Sequence, residues 1–458
     1  MKMHKMRSAF VSFGLTMLFG WGSAWAQQPV VDGSKEDVRQ QIRQDQAIKA
    51  VKDEVRQDGF KPAVRKQVEL GKAAFSLEQY AVAYDRFLRA YTREKDSARL
   101  LKIEYLMGQS QQKMNHPKAA ALHYSHIWRK GVRDAAFLQA YLEVLFSVSA
   151  YDRAQRVIDD LRAKGVSSYA IRVREKSLQN LDYARQMQEA FGLFPKDLHY
   201  DTALNTAFSE YAPTLVAGQL VFTSSRPQEG QTVSDPRTAQ GYSRLFSATF
   251  DPVAKTWVDP QPLRGEIADL KGNIGTFSYD SVNNIGFFTW NQVNSSGIYT
   301  VRREADGSWS GLQEFAFNYM EGSDNFLGKV AHPSVSKDGK RLLFVYRDDA
   351  RRSGTDIWYV ERVAPKAAPV TKGRRRRVTP PAAQGKTSSR RKKTQVVTGP
   401  QAVIVNADWG VPVRYDSLVN TSGREVFPQW INDSMFVFAS DGHVGQGGTD
   451  LYVAVLDS

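Results

Sequence analysis

The chain has 458 residues, 42% of them hydrophobic and 11% aromatic, enough for two or three domains with ordinary cores. Its formal charge of +14 misleads if taken whole, because Lys2, Lys5 and Arg7 contribute +3 and the acid-free segment 363–400 contributes +11. The remaining body is neutral, which excludes a nucleic-acid reading of the whole molecule, and the absence of cysteine excludes disulfides and any acylated-cysteine anchor, so the domains must be stabilised by burial.

Residues 1–26 read as an export signal. Lys2, Lys5 and Arg7 form a basic start, Ala9 to Gly22 an apolar core, and Ala24-Trp25-Ala26 a small-x-small cleavage site. No later segment approaches the roughly 20 apolar residues of a membrane span. Residues 27–61 are polar, with Val38, Ile42, Ile48, Val51 and Val55 spaced as on a marginal, mostly solvated helix, and read as a linker.

Over 62–194 the period is helical and repetitive. Gly71 is followed by Ala83, Phe87 and Ala90, Gly108 by Ala120, Tyr124 and Ile127, and Leu142 by Ala154, Ile158 and Leu161, with the same internal offsets. Small residues let antiparallel helices approach closely while larger ones fill the next groove. The pattern predicts three tetratricopeptide-like repeats and a capping helix over Tyr169 to Phe191, with an irregular helical bundle as the other reading.

From 195 to 458 the signal is β. Four segments recur, EYAPTLVAGQLVFTSSR from Glu210, GTFSYDSVNNIGFFTWN from Gly275, HPSVSKDGKRLLFVYRDD from His332 and EVFPQWINDSMFVFASDG from Glu425. Each reads as strand, polar turn and aromatic-rich strand, with Asp338-Gly339 suited to a two-residue type I′ hairpin. Anchored on Pro213, Ser278, Pro333 and Pro428, the period is that of propeller blades once 363–400 is set aside as a basic, disordered insert. An antiparallel sandwich is the alternative. Tryptophan-containing returns such as TWVDPQPL follow the aromatic strands. HYDTALNTAFSEYAP, His199 to Pro213, also matches RYDSLVNTSGREVFP, Arg414 to Pro428, at a constant offset of 215. The early copy is therefore expected to close the ring by pairing with the last blade, removing two open edges. The fold class is α+β multidomain: an α-helical solenoid, then an all-β propeller of four recognisable blades.

Few residues point to chemistry. In DGHVGQGGTD, Asp441 and Asp450 are weak candidates for a hard cation, with His443 between them. The loop precedes a strand, which fails as a phosphate cradle. The seven histidines lack metal-site spacing, and no G-x-S-x-G elbow is present. Neither a catalytic constellation nor a cofactor site is read, and the chain is expected not to be an enzyme. In the insert, Lys372, Arg374, Arg375, Arg376, Arg377, Arg390, Arg391, Lys392 and Lys393 are the candidate interaction residues, for an anionic lipid, acidic polymer or acidic partner.

Helical repeats followed by SEYAP, HPSVSKDGKRLLF, EVFPQW and FASDGHVGQGGTDLYVA resemble the periplasmic, PorE-like proteins of the type IX secretion and gliding machinery. The resemblance spans roughly Pro62 to Ser458 and is most specific at Ser440 to Tyr452. It implies a periplasmic scaffold, peripheral to the outer membrane, that binds other envelope proteins. Relatives also carry a fifth blade, a lipidation cysteine and a peptidoglycan-binding OmpA-like domain. None has a counterpart here, so peptidoglycan binding is not implied, and a separate OmpA-like chain is an expected partner. A propeller that binds or processes envelope glycans is the alternative.

Overall fold

The computed structural model describes residues 35–191, 202–228, 234–291, 296–315, 330–347, 354–363, 409–446 and 448–456. Eight helices come first: α1 (Lys35–Gln57), α2 (Pro62–Ser76), α3 (Tyr80–Tyr91), α4 (Ser97–Lys113), α5 (Pro117–Arg129), α6 (Ala135–Ser147), α7 (Tyr151–Ala163) and α8 (Tyr169–Phe191). Local sequence sets their starts. Pro62 and Pro117 open α2 and α5, where a missing N–H costs nothing, and the side chains of Asp96 and Asp134 cap α4 and α6 by accepting from Arg99 N and Phe137 N.

The repeated small residues do what their spacing implies. A Cβ on Gly71 would lie 2.4 Å from the Phe87 ring, and one on Gly108 would lie 2.3 Å from the Tyr124 ring. In the third pair the sizes are evened out, with Leu142 and Ile158 at the corresponding positions, both buried. The turns inside the three pairs carry Glu78, Asn115 and Ser149 at positive φ, recurring at the repeat's own spacing. The preceding segment is more than a linker, since Val55 at the end of α1 and Phe60 just beyond it are buried in one cluster with Val64, Val68 and Phe87.

Four antiparallel sheets follow. The first holds β1 (Glu210–Val216), β2 (Gln219–Ser224), β3 (Arg244–Asp251) and β4 (Thr256–Pro262); the second β5 (Asn273–Asp280), β6 (Ile285–Asn291), β7 (Ser296–Arg303) and β8 (Trp309–Glu314). The third holds β9 (Val330–Val335), β10 (Arg341–Tyr346), β11 (Asp356–Glu361) and β12 (Val413–Arg414); the fourth β13 (Glu425–Asn432), β14 (Met435–Ser440) and β15 (Asp450–Val455). Each is a meander running outward from its first strand, the order of propeller blades. Burial between successive blades holds the ring together: Val221, Leu245, Phe288 and Trp309 between the first and second, Phe287, Phe315, Phe344 and Trp409 between the second and third, and Val345, Ile357, Phe436 and Phe438 between the third and fourth.

Two sequence expectations change register. The two-residue I′ turn lies at Ala217-Gly218, both at positive φ between paired Val216 and Gln219. At Asp338-Gly339 only Gly339 has positive φ, and Ser336 N donates to Arg341 O across a longer loop in which Asp338 accepts from Lys340 N. The blade anchor shifts as well. Every inner strand contains one bulged residue at positive φ, Ala212, Thr276, His332 or Phe427. Phe277, and not Ser278, is thus the counterpart of Pro213, Pro333 and Pro428, because a bulge adds one residue to the strand that carries it.

The 215-residue repeat is real in its turns, while the residues expected to close the ring, which align with β12 at 198–199, lie outside the described residues. Thr206 donates from N and Oγ1 to the Glu210 carboxylate (3.0 and 2.7 Å), and Thr421 does the same to Glu425 at the same distances. The described parts of the two copies, 202–209 and 415–424, are irregular turns leading into an inner strand, β1 in the first blade and β13 in the fourth. The first and fourth blades meet at their inner strands, where Gln429 Nε2 donates to Pro213 O (3.4 Å) and the Tyr211 and Phe427 rings lie 6.1 Å apart. The insert leaves between β11 and β12. Its flanks are pinned by a bridge between Arg362 and Trp409 and by the guanidinium stacked 4.5 Å over the indole, so the loop is accommodated at little cost to the sheet.

Candidate binding site at the junction of helices and propeller

The helix-pair turns lie on one face of the propeller. Ala81 N donates to Pro236 O, the Tyr151 hydroxyl to Gln446 O, Arg174 Nη2 to Asp441 O and Gly445 N to Ser177 Oγ. Beneath these contacts the axial channel opens into a cavity of about 240 Å³, bordered by Tyr80 and Lys113 to His116 from the helices and by Tyr211, Gln240, Asn273 and His332 from the blades. The lining is mostly hydroxyls and amides. Ser209 and Ser225 both donate to Gln240 Oε1 (3.0 and 2.6 Å), Ser243 donates to Asn273 Oδ1, and the Thr276 and Thr289 hydroxyls lie 2.8 Å apart.

One carboxylate borders the cavity among the described lining residues. Asp235 is buried, which opposes its charge, yet the Arg237 guanidinium beside it (Nε to Oδ1 2.9 Å) and the Asn273 amide hold its carboxyl below the usual range. Being paired, it is no free acid or base. Glycoside hydrolysis ordinarily takes two carboxylates, one of them able to exchange a proton.

The bulges explain the channel's most unusual residue. A bulge directs a backbone N–H toward the preceding blade: Thr276 N donates to Thr223 Oγ1 (3.0 Å) and His332 N to Thr289 Oγ1 (2.8 Å). In the third blade that threonine position is Val345, which has no acceptor, and Phe427 N donates instead to His332 Nδ1 (3.2 Å). The His332 ring stacks on Phe427 with centroids 3.9 Å apart. Burial pushes its imidazole down to about 3, so it is neutral, with its proton on Nε2. Beyond His332 and Thr276 lies a second chamber of about 170 Å³, lined by Pro213, Phe277, Pro333, Pro428 and Leu451.

The depressed imidazole fixes a pH dependence. The unfolded histidine binds a proton below about 6.5 and the folded one only near 3, so the native state loses stability as pH falls through that window, by about 1.4 kcal/mol per pH unit. His332→Asn tolerates positive φ and keeps an acceptor near Nδ1. Urea midpoints measured from pH 7 to pH 5 should fall steeply for the parent chain and less for this variant; equal slopes would assign the effect elsewhere.

The residues singled out from sequence fall differently. Asp441 accepts from Arg424 N and Nε, both at 2.7 Å, and its loop docks on α8, while His443 Nε2 contacts Val419 O at 3.0 Å. Gly445 packs directly against the Asp450 carboxylate. Among the described residues no three histidine or acidic side chains form a metal-holding group. Lys372, Arg374 to Arg377, Arg390, Arg391, Lys392 and Lys393, and the export signal, lie outside the described residues. Sequence reasoning missed the channel, Asp235, Arg237 and His332. The recurring Glu78, Asn115 and Ser149 turns were foreshadowed by the repeat spacing.

No known family profile matches the chain, and no curated protein matches it. Similar solved structures include the arabinanase Arb43A of Bacillus subtilis, at 14% identity over 55% of this chain and 75% of that one, with a TM-score of 0.30. An α-L-arabinofuranosidase from Lactobacillus brevis matches at 11% identity, 56% and 75% coverage and a TM-score of 0.32, and an endo-arabinanase of Bacillus licheniformis at 13%, 57% and 79%, and 0.30. These are enzymes by title, and the expectation that this chain is not an enzyme is corrected on that ground. Their own activities are not transferred, since identities and scores this low do not extend to a site.

Proposed function

We propose that this protein works by binding, holding components of a cell-envelope machine on a unit built from two recognition modules. The observation that carries the reading is the docking of successive helix-pair turns and α8 on one propeller face through Pro236, Asp441, Gly445 and Gln446. A solenoid and a propeller fixed to each other present two surfaces at a set distance, which suits a part that positions partners. The resemblance to the PorE-like proteins supports a role in the periplasm beside the outer membrane, in secretion or gliding, with a separate OmpA-like chain among the partners. The insert's basic run adds a salt-sensitive hold on an anionic envelope surface.

The cavity favours a second reading. Its hydroxyl and amide lining matches the hydrogen-bonding needs of a sugar, so a glycan end bound or processed there is the other use of the same fold. Crosslinked pull-down from envelope extracts should recover machinery proteins with the full chain. In parallel, incubation with peptidoglycan and oligosaccharides reads retention and turnover. Capture of nothing but the bait, together with turnover lost in Asn273→Ala, would replace the first reading by the second.

A further inference from the structure

Around the cavity at the junction, several polar groups are used by no other protein group among the described residues. Ser209 and Ser225 both donate to Gln240 Oε1, which fixes that carboxamide and leaves its Nε2 as a donor toward the cavity it borders. His116 Nδ1 meets Gln111 Oε1 at 2.8 Å, so the proton sits on Nδ1 and Nε2 is left to accept. Asn291 Oδ1 is buried without a hydrogen-bond partner, and Asn291 and Asn115 border the same space. Polar atoms left over around one cavity are the mark of a site that a ligand completes.

One charge stands among them. Lys113, the last residue of α4, borders the cavity and forms no ion pair among the described residues, and its ammonium lies in the field of Arg347 and Arg424 as well as Glu78. Asp235 and Arg237, the other charged side chains of the described lining, satisfy each other (Nε to Oδ1 2.9 Å). Lys113 and His116 are exposed where Asp235 and His332 are buried, so the cation stands at the mouth.

We propose that this cavity binds an acidic monosaccharide, the carboxylate of a uronic acid seated on Lys113 and its ring hydroxyls on Gln240, Asn291, Asn115 and His116. The proposal rests on the glycan reading of the cavity and names the class of sugar. A lone ammonium matches a carboxylate, whereas a phosphate brings nearly two negative charges to a cavity that already holds Asp235. An amino acid would need an acceptor for its own ammonium, and the Asp235 carboxylate is taken up by Arg237 and Asn273. At about 240 Å³ the space suits one sugar ring, so the ligand is a free monosaccharide or the end of a chain.

Calorimetric titration of the full chain with D-glucuronate and with D-glucose separates the charge from the hydroxyls. Glucuronate should bind at one per chain and at least about tenfold more tightly than glucose, and the preference should shrink as salt is raised. Lys113→Gln removes the charge from an exposed helix end, so Tm should hardly move, while glucuronate affinity falls about tenfold and glucose affinity changes little. Asn115→Gly tolerates the positive φ of that position and should weaken both sugars together. A glucuronate preference that survives in Lys113→Gln, competition by acetate as strong as that by glucuronate, or affinities untouched by Asn115→Gly would overturn the proposal. Equal binding of the two sugars would remove the acidic class and keep the glycan reading; saturable binding of neither would end both and leave the holding of envelope proteins standing.

Discussion

Leucine placed at Gly108 should cost the helical array about 3 kcal/mol or more, the upper range for overpacking a core. The Tyr124 ring already occupies the space a Cβ would take, at 2.3 Å, and neither helix of the pair can retreat without opening the cluster that holds Phe137, Tyr141 and Leu142. The chain carries its own remedy. In the third repeat Leu142 and Ile158 stand at the positions where the second has Gly108 facing Tyr124, so Gly108→Leu with Tyr124→Ile should recover most of the loss. Urea denaturation of the two single variants and the double variant measures the coupling; a double variant no more stable than Gly108→Leu would mean that ring and glycine are not the interacting pair.

The second large effect belongs to the junction. Arg237→Met leaves the Asp235 carboxylate buried beside Asn273 without its counter-charge, and removal of one member of a buried pair typically costs about 3–5 kcal/mol. The pair sits on either side of Pro236, whose carbonyl receives Ala81 N, so the loss should also loosen the helices from the propeller. Asp235→Leu with Arg237→Met, which removes both charges, should be far milder. Thermal melts give the cycle. Limited proteolysis between the two regions should accelerate for the single variant only; equal melting of all three chains would show that the pair is not buried as described.

Much of the architecture was legible because it repeats. The offsets from Gly71 to Phe87 and from Gly108 to Tyr124 specify which residues meet across a helix pair, and helical geometry does the rest. The blades were equally visible in their aromatic strands, and the Thr-x-x-x-Glu turn was found twice before its hydrogen bonds were seen. Register was harder to read. A bulge inserts a residue without any change of composition, so aligning like with like put Ser278 where Phe277 belongs. Asp338-Gly339 looks like a tight hairpin, but its loop is closed by Ser336 and Arg341, which dipeptide preference does not reveal.

Sequence alone determined the two architectures, their order, the position of the basic insert and the neutrality of the folded body, since these depend on periodicity and charge, which are properties of contiguous residues. The tertiary structure alone decided that the helix-pair turns cover one propeller face and that Asp235, Arg237, Asn273 and His332 border a single channel. The reason is separation along the chain: blades wound about an axis bring together one or two residues from each, and no local pattern records which distant amide will find that His332 stands where a threonine served before.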